Sequence, residues 1–310
     1  MSSPGPSRVP EGNRIHLRVL GPLEAGPAGG PPVPLGPPRQ RAVLGLLALA
    51  PGTLVHRDDI IDELWPAGPP ATAVGLVQAY VSRLRRVLVP RGPARARHAL
   101  IASAGASYRL EAGPGELDLI RFRQEAERGA AAAGRDPAAA CDSYEAALWL
   151  WRGWPLADVD LLRDSPRVLT LRERHRDVVL RYADAAAAAG RHHVIVPCLR
   201  LLATAEPLDE SAHARLMIAL AGTGQQAAAL AVYAGITARL DGELGVRPGP
   251  DIEQAHLRVL RQELGAGDAP GGPPAGSVPS APGPACATSR PRMTGRRDRC
   301  RLAGQAPGPR

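Results

Sequence analysis

The first segment with a clear hydrophobic pattern starts at Ile15, where Ile15, Leu17 and Val19 alternate with His16 and Arg18 before Gly21-Pro22. Val33 and Leu35 follow a Gly/Pro turn, so the alternation predicts two short strands, kept short by proline clusters. From Arg39 the period becomes helical: Ala42, Val43, Leu46, Leu47 and Leu49 predict a mostly apolar helix that stops at Pro51-Gly52. Asp58 to Trp65 predicts a second helix, with acids in its first turn where the macrodipole favours them and with Ile60, Ile61, Leu64 and Trp65 on its buried side. The third runs from a Thr72 cap to Leu88, and Val77, Val81, Leu84 and Leu88 lay one apolar stripe along it. Its other side presents Thr72, Gly75, Ala79, Ser82, Arg83 and Arg86, flanked by Gln78, Tyr80 and Arg85. Residues 99–102 and 108–110 flank Ser103 to Ser107 and predict a hairpin.

Beyond residue 113 the pattern is helical throughout. Helices are predicted over 117–133, 137–151, 168–189, 193–205, 211–221, 225–244 and 250–264, with no strand between them. Related alanine-rich signatures surround Gly134, Gly190 and Gly224. The last two are 34 residues apart, which is the tetratricopeptide period of paired helices, whereas Gly134 is out of step. Trp149, Trp151 and Trp154 read as a buried cluster at a helix end.

Charge divides the 310-residue chain along the same lines. Residues 1–112 carry a net +6, residues 113–264 carry −3 and residues 265–310 carry +5. No acid lies between Glu63 and Glu111, while Arg83, Arg85, Arg86, Arg91, Arg95, Arg97 and Arg109 all fall there. An acid-free arginine block within a folded domain points to polyphosphate. A chain whose 38 basic residues are all arginine has no lysine for a P-loop, a Schiff base or a general base. Residues 1–13 and the Pro/Gly-rich 265–310 lack hydrophobic periodicity and are expected to be disordered. The longest apolar run is about ten residues, too short to span a bilayer, and the N-terminus does not read as a signal peptide, so a cytoplasmic location is expected.

Three helices followed by a hairpin, with short strands alongside, is the order of a winged helix-turn-helix, in which the third helix enters the major groove and the hairpin reaches the neighbouring minor groove. The segments GPLEAGPAGGPPVPLGPPRQRAVLGLLAL, IIDELW, YVSRLRRVL and SYRL, in that order, resemble the Streptomyces antibiotic regulatory protein family of transcriptional activators. The closing LDGELGVRPGPDIEQAHLRVL is similar to the end of that family's bacterial transcriptional activation domain. The resemblance implies a mainly α chain. Two parts carry the resemblance, an OmpR/PhoB-like winged helix-turn-helix with small β-strands over 14–112 and an all-α tetratricopeptide-like activation domain over 113–264, and composition adds the disordered 1–13 and the disordered 265–310 tail.

By resemblance Arg83 reaches bases, Arg85 and Tyr80 contact phosphates, and Arg109 enters the minor groove, so the expected DNA-binding set is Thr72, Gln78, Tyr80, Ser82, Arg83, Arg85, Arg86 and Arg109. The family pattern departs at Val74-Gly75, where a polar or basic pair is usual, and at Ser107, where Gly is usual. The implied partners are duplex promoter DNA carrying direct repeats, a second protomer on that DNA, and RNA polymerase. The regulated genes would belong to a specialised-metabolite cluster. The rival reading is a tetratricopeptide-type adaptor whose winged helix no longer binds DNA.

Catalytic chemistry has no foothold in the motifs. HExxH, GxSxG and GxGxxG are absent, and Cys141, Cys198, Cys286 and Cys300 are spaced 57, 88 and 14 apart with no CxxC clip. Adjacent His192-His193 diverge on a helix and suit no metal. No catalytic residue, metal or cofactor is expected, and ten aromatics are too few for a single-strand stacking platform.

Overall fold

The computed structural model describes residues 15–27, 29–89 and 100–263. The expectations of disorder for 1–13 and 265–310, together with Arg91, Arg95 and Arg97 of the basic block, lie outside the described residues.

Strand β1 (Ile15–Arg18) pairs antiparallel with β2 (Glu24–Pro27), Ile15 opposite Pro27. The second strand therefore lies earlier than the alternation at Val33 and Leu35 predicts. Pro31, Pro32 and Pro34 have no N–H to donate, so that stretch adds only the Val33 N–H to Ala25 O bond, 2.7 Å. Helix α1 (Pro38–Leu49) opens on a proline and is buried nearly all round. Its Gly45 is the close-approach point: a Cβ there would come within 3.0 Å of Leu156 and 3.1 Å of Leu162, both from the second half of the chain. Strand β3 (Val55–His56) leads into α2 (Arg57–Leu64), whose first turn is capped by His56 Nδ1 accepting from Asp58 N–H. Ile60, Ile61 and Leu64 are buried as predicted, whereas Trp65 falls just past the helix and is half-buried under Arg39.

Helix α3 (Ala73–Leu88) buries Ala73, Val77, Val81, Leu84 and Leu88, the predicted stripe plus one residue. Thr72 does sit at the cap position, but its side chain makes no capping bond there. Strands β4 (Ile101–Ala104) and β5 (Ser107–Leu110) form the hairpin, and β5 also pairs with β3, giving the sheet order β3-β5-β4. The strands run further into the turn than predicted and leave a two-residue loop, Gly105-Ala106. Only Gly105 has positive φ, +59°, which is what glycine at the first loop position supplies without a Cβ clash.

Seven helices follow: α4 (Asp118–Ala132), α5 (Pro137–Leu148), α6 (Pro166–Ala188), α7 (His192–Ala205), α8 (Glu210–Gly222), α9 (Gln226–Arg239) and α10 (Pro250–Arg261). Consecutive members pack in the pairs α4/α5, α6/α7 and α8/α9, and α10 closes the array against α8. Gly190 (φ +66°) and Gly224 (φ +78°) end the first helix of their pairs in the left-handed conformation that a tight reversal needs. Helix α10 ends at Arg261, three residues before its predicted end, and two other differences bear on the fold. The predicted 225–244 helix changes at Leu240 into a π turn ending at Gly245, and α5 stops at Leu148 rather than 151, releasing an irregular segment with a 3₁₀ turn at Asp160–Leu162.

That segment fastens the two halves together. Arg152 N–H donates to Leu20 O at 2.7 Å, Leu156 N–H to Val19 O at 3.1 Å, and Asp158 Oδ1 accepts from Leu23 N–H at 2.7 Å, while Arg41 pairs with Asp158. From α4, Asp118 accepts both Val19 N–H (2.9 Å) and Leu20 N–H (3.1 Å). Burial raises the Asp118 carboxyl pKa, and these two bonds and Arg152 oppose that rise. The predicted tryptophan cluster opens here too: Trp151 is buried, but Trp149 and Trp154 are 50% and 40% exposed.

Candidate nucleic-acid interface

Helix α3 is held by its stripe, so its remaining face is fixed by helical geometry. Thr72, Gly75, Gln78, Ser82, Arg83 and Arg86 all lie exposed on that face. Arg83 and Arg86 are exposed and have no hydrogen bond or ion pair among the described residues. A Cβ added at Gly75 would meet nothing within 4 Å among the described residues, and Val74 beside it is 40% exposed, so the helix start is an open surface there. Tyr80 is half-buried, its ring packed on the core rather than standing free.

Arg85 is bonded within the protein. Strand β4 is the edge of its sheet, and Glu111 N–H bonds Leu100 O at 2.8 Å, so by antiparallel alternation Ile101 O points away from β5. Arg85 occupies that open edge: its Nε and Nη2 donate to Ile101 O at 2.9 and 2.6 Å, and Nη2 donates to Ser103 Oγ at 2.7 Å. Partial burial lowers its pKa, opposed by nearby Tyr108. Arg85, expected by resemblance to contact phosphate, thus also has a role within the protein: its Nε and Nη2 hold the hairpin to the helix. The other side of the hairpin is fixed by β3 and by Arg57 N–H, which donates to Ala106 O at 2.9 Å.

Arg109, on the strand face opposite buried Tyr108, is ion-paired in the free protein. Its Nε and Nη2 both reach Glu111 Oε1 at 2.6 Å, and the two side chains are 39% and 43% exposed. An exposed pair of this kind contributes at most about 1 kcal/mol, so a phosphate can displace Glu111 at small cost. Sequence reasoning missed both the Arg85 clamp and this pair. The first depends on a contact sixteen positions away that no local pattern encodes. The second was legible, since residues two apart on a strand share a face.

The assembled surface is therefore a helix with an exposed polar and arginine-bearing face, beside a hairpin whose distance from that helix is set by Arg85. Among the described residues there is no group of His, Cys, Asp and Glu able to hold a metal, and no helix long and apolar enough to cross a membrane.

Comparisons with known proteins match this architecture part by part. The family model described as "transcriptional regulatory protein, C terminal" matches residues 32–110, and the one described as "bacterial transcriptional activator domain" matches residues 117–260. The transcriptional regulatory protein MoaR1 of Mycobacterium tuberculosis is 35% identical over 253 residues, covering 80% of both chains. The transcriptional regulator RedD of Streptomyces coelicolor is 32% identical, covering 84% of this chain and 75% of its own. The regulatory protein DnrI of Streptomyces peucetius is 33% identical, covering 81% and 94%. Among solved structures, Mycobacterium tuberculosis EmbR in complex with a low-affinity phosphopeptide superposes with a TM-score of 0.71 at 33% identity, over 80% of this chain and 65% of that one.

Proposed function

The chain belongs to the Streptomyces antibiotic regulatory protein family of DNA-binding transcriptional activators, and on that premise we propose that it binds promoter direct repeats as a pair of protomers and brings RNA polymerase to a specialised-metabolite gene cluster. The division of labour follows 14–112 for DNA and 113–264 for protein contacts, in the cytoplasm and with no catalytic step.

The observation that carries this reading is the face of α3. Arg83 and Arg86 stand exposed, with no hydrogen bond or ion pair among the described residues, on a helix whose opposite side is committed to the core. Arg83 immediately precedes buried Leu84, and in this docking it projects into the major groove, where a guanidinium pairs bidentately with guanine O6 and N7. Thr72, Gln78, Ser82 and Arg86 line the same groove, and Tyr80 supports its flank. Arg109 exchanges Glu111 for the backbone at the adjacent minor groove. Nη1 of Arg85 adds a phosphate contact only secondarily to the clamp.

The test is fluorescence anisotropy on the promoter regions adjoining its gene. Binding that tightens to two protomers per duplex and weakens steeply with salt supports the proposal. Salt-independent binding, or none at low salt, supports the adaptor reading instead.

A further inference from the structure

The segment that fastens the two halves has a second face. While Arg152, Leu156 and Asp158 hold the first domain, the preceding Trp151 and the intervening Gly153, Trp154 and Pro155 line a cavity of about 170 Å³ in the helical array. Helices α6 and α7 supply the other walls, chiefly His175, Val179, Leu201 and Leu202.

Three features define what such a space accepts. Its walls are mostly apolar and aromatic: the Trp151 and His175 rings lie 4.1 Å apart, and Arg172 stacks on Trp154 at 3.9 Å. A site of this kind suits a flat ring, and a cavity of about 150 Å³ already holds benzene. Next, Nε2 of His175 and Nε1 of Trp151 are closed to solvent and lack a hydrogen-bond partner among the described residues, although buried polar atoms are normally paired. Burial and neighbouring Arg172 push His175 down to about 4, so its imidazole is neutral at physiological pH and takes an uncharged partner. Finally, the rim arginines are already paired. Arg176 is held by Asp209 at 2.6 and 2.8 Å, and Glu206 lies 4.0 Å from Arg172 and 3.5 Å from Arg176. With Asp177 also 3.7 Å from Arg176, the two arginines face three carboxylates, leaving no surplus positive charge to attract an anion.

We propose that this cavity binds a small uncharged aromatic alcohol, a single-ring phenol, and that occupancy is relayed to the winged helix through residues 151–158. The hydroxyl both donates and accepts, so it serves either ring nitrogen once the wall adjusts around it. Adjustment of that wall is the relay, because Trp151 to Pro155 cannot shift without pulling on the bonds to Val19, Leu20 and Leu23 at the base of the DNA-binding domain. Leu156, at φ +52°, keeps a backbone conformation that non-glycine residues rarely adopt, and it does so at the centre of that connection. The relay rests on the DNA-binding reading above, but the site itself does not.

The test titrates the ¹⁵N-labelled full chain with 4-methylphenol and with benzoate, following the indole N–H signal of Trp151, assigned by its loss in Trp151→Phe. The expected result is a saturable shift with a dissociation constant of roughly 1 mM or lower. Benzoate binds at least tenfold more weakly. Ala205→Trp, at the exposed mouth where it does not disturb packing, weakens 4-methylphenol at least tenfold, and Leu201→Trp does the same. Saturating 4-methylphenol changes promoter affinity about fivefold or more in the wild-type chain and not in Ala205→Trp. No saturable shift, equal binding of benzoate, or indifference to both plugging substitutions would overturn the site. An unchanged promoter affinity at saturation would overturn the relay. Failure of the ligand-free chain to bind DNA would overturn the functional reading, while the titration still decides the site.

Discussion

Replacing Arg85 separates two roles that charge alone confuses. In the structure its Nε and Nη2 hold Ile101 O and Ser103 Oγ on the free edge of the hairpin. Hydrogen bonds to a charged group contribute about 1.5–3 kcal/mol each when well sheltered. This guanidinium is only half-buried, and Ile101 O regains water once released, so Arg85→Ala should cost about 1–3 kcal/mol in total. The loss falls on the hairpin rather than on the whole domain, so amide exchange at Glu111 and Arg57, which depend on the hairpin backbone, should quicken by roughly 5- to 150-fold. Arg85→Lys is the informative partner. An ammonium keeps the charge but cannot span Ile101 O and Ser103 Oγ with a planar fork, so less than half of the protection should return. DNA binding should track the exchange result: Arg85→Lys should lose affinity for A·T-rich flanks, where the wing enters, with little change in salt slope. An Arg85→Lys protein with wild-type exchange and wild-type DNA binding, beside an Arg85→Ala protein whose salt slope falls by about one ion, would show a simple phosphate contact and refute the clamp.

Other consequences are equally direct. Asp118→Ala strands the buried N–H groups of Val19 and Leu20 and should lower unfolding free energy by about 2–4 kcal/mol in urea titration, with Asp118→Asn costing less; an unchanged midpoint would contradict the proposed fastening. Glu111→Gln frees Arg109 and removes a carboxylate from the DNA face, so affinity for any duplex should rise about two- to fivefold by anisotropy, and no rise would mean Arg109 does not reach DNA. For His175, the folded protein takes up its proton only near pH 4 and the unfolded chain near pH 6.5, so the unfolded state binds more protons between those values. Its contribution to stability is full above pH 6.5 and falls by up to about 3 kcal/mol as pH drops to 4, a slope that should vanish in His175→Phe; identical pH profiles for the two proteins would contradict its burial as the neutral form.

The parts legible in the sequence were those set by local periodicity. The stripe Val77, Val81, Leu84, Leu88 fixed both the existence of α3 and its exposed face, and the 34-residue step from Gly190 to Gly224 marked the helix pairs. Misreadings arose where tertiary pairing overrode local pattern. Val33 and Leu35 looked like a strand, but prolines on either side removed the donors a ladder needs. Trp149, Trp151 and Trp154 looked like a buried cluster at the end of a helix running to 151, but the helix ends at Leu148 and only Trp151 is buried. The fastening of Asp118 and Asp158 to residues 19–23 joins positions 98 to 135 apart, a distance at which a single sequence carries no signal. Thr72, Gln78, Ser82, Arg83 and Arg86 lie on the exposed face where helical spacing put them, while Arg85, given a phosphate role by resemblance, bonds the open edge of β4, which no local pattern encodes.

The account stands on α3 being the element that reads DNA, and Arg83 tests it most directly. The measurement is the ratio of affinities for a cognate promoter site and for random duplex, by anisotropy, for the wild-type chain and Arg83→Ala, with circular dichroism to verify the fold. Loss of one bidentate base contact should cost about 1–3 kcal/mol on the cognate site and narrow the ratio by roughly 5- to 150-fold, leaving random-sequence binding much less affected. A ratio unchanged in a folded Arg83→Ala protein would mean that residues 73–88 do not form the recognition helix.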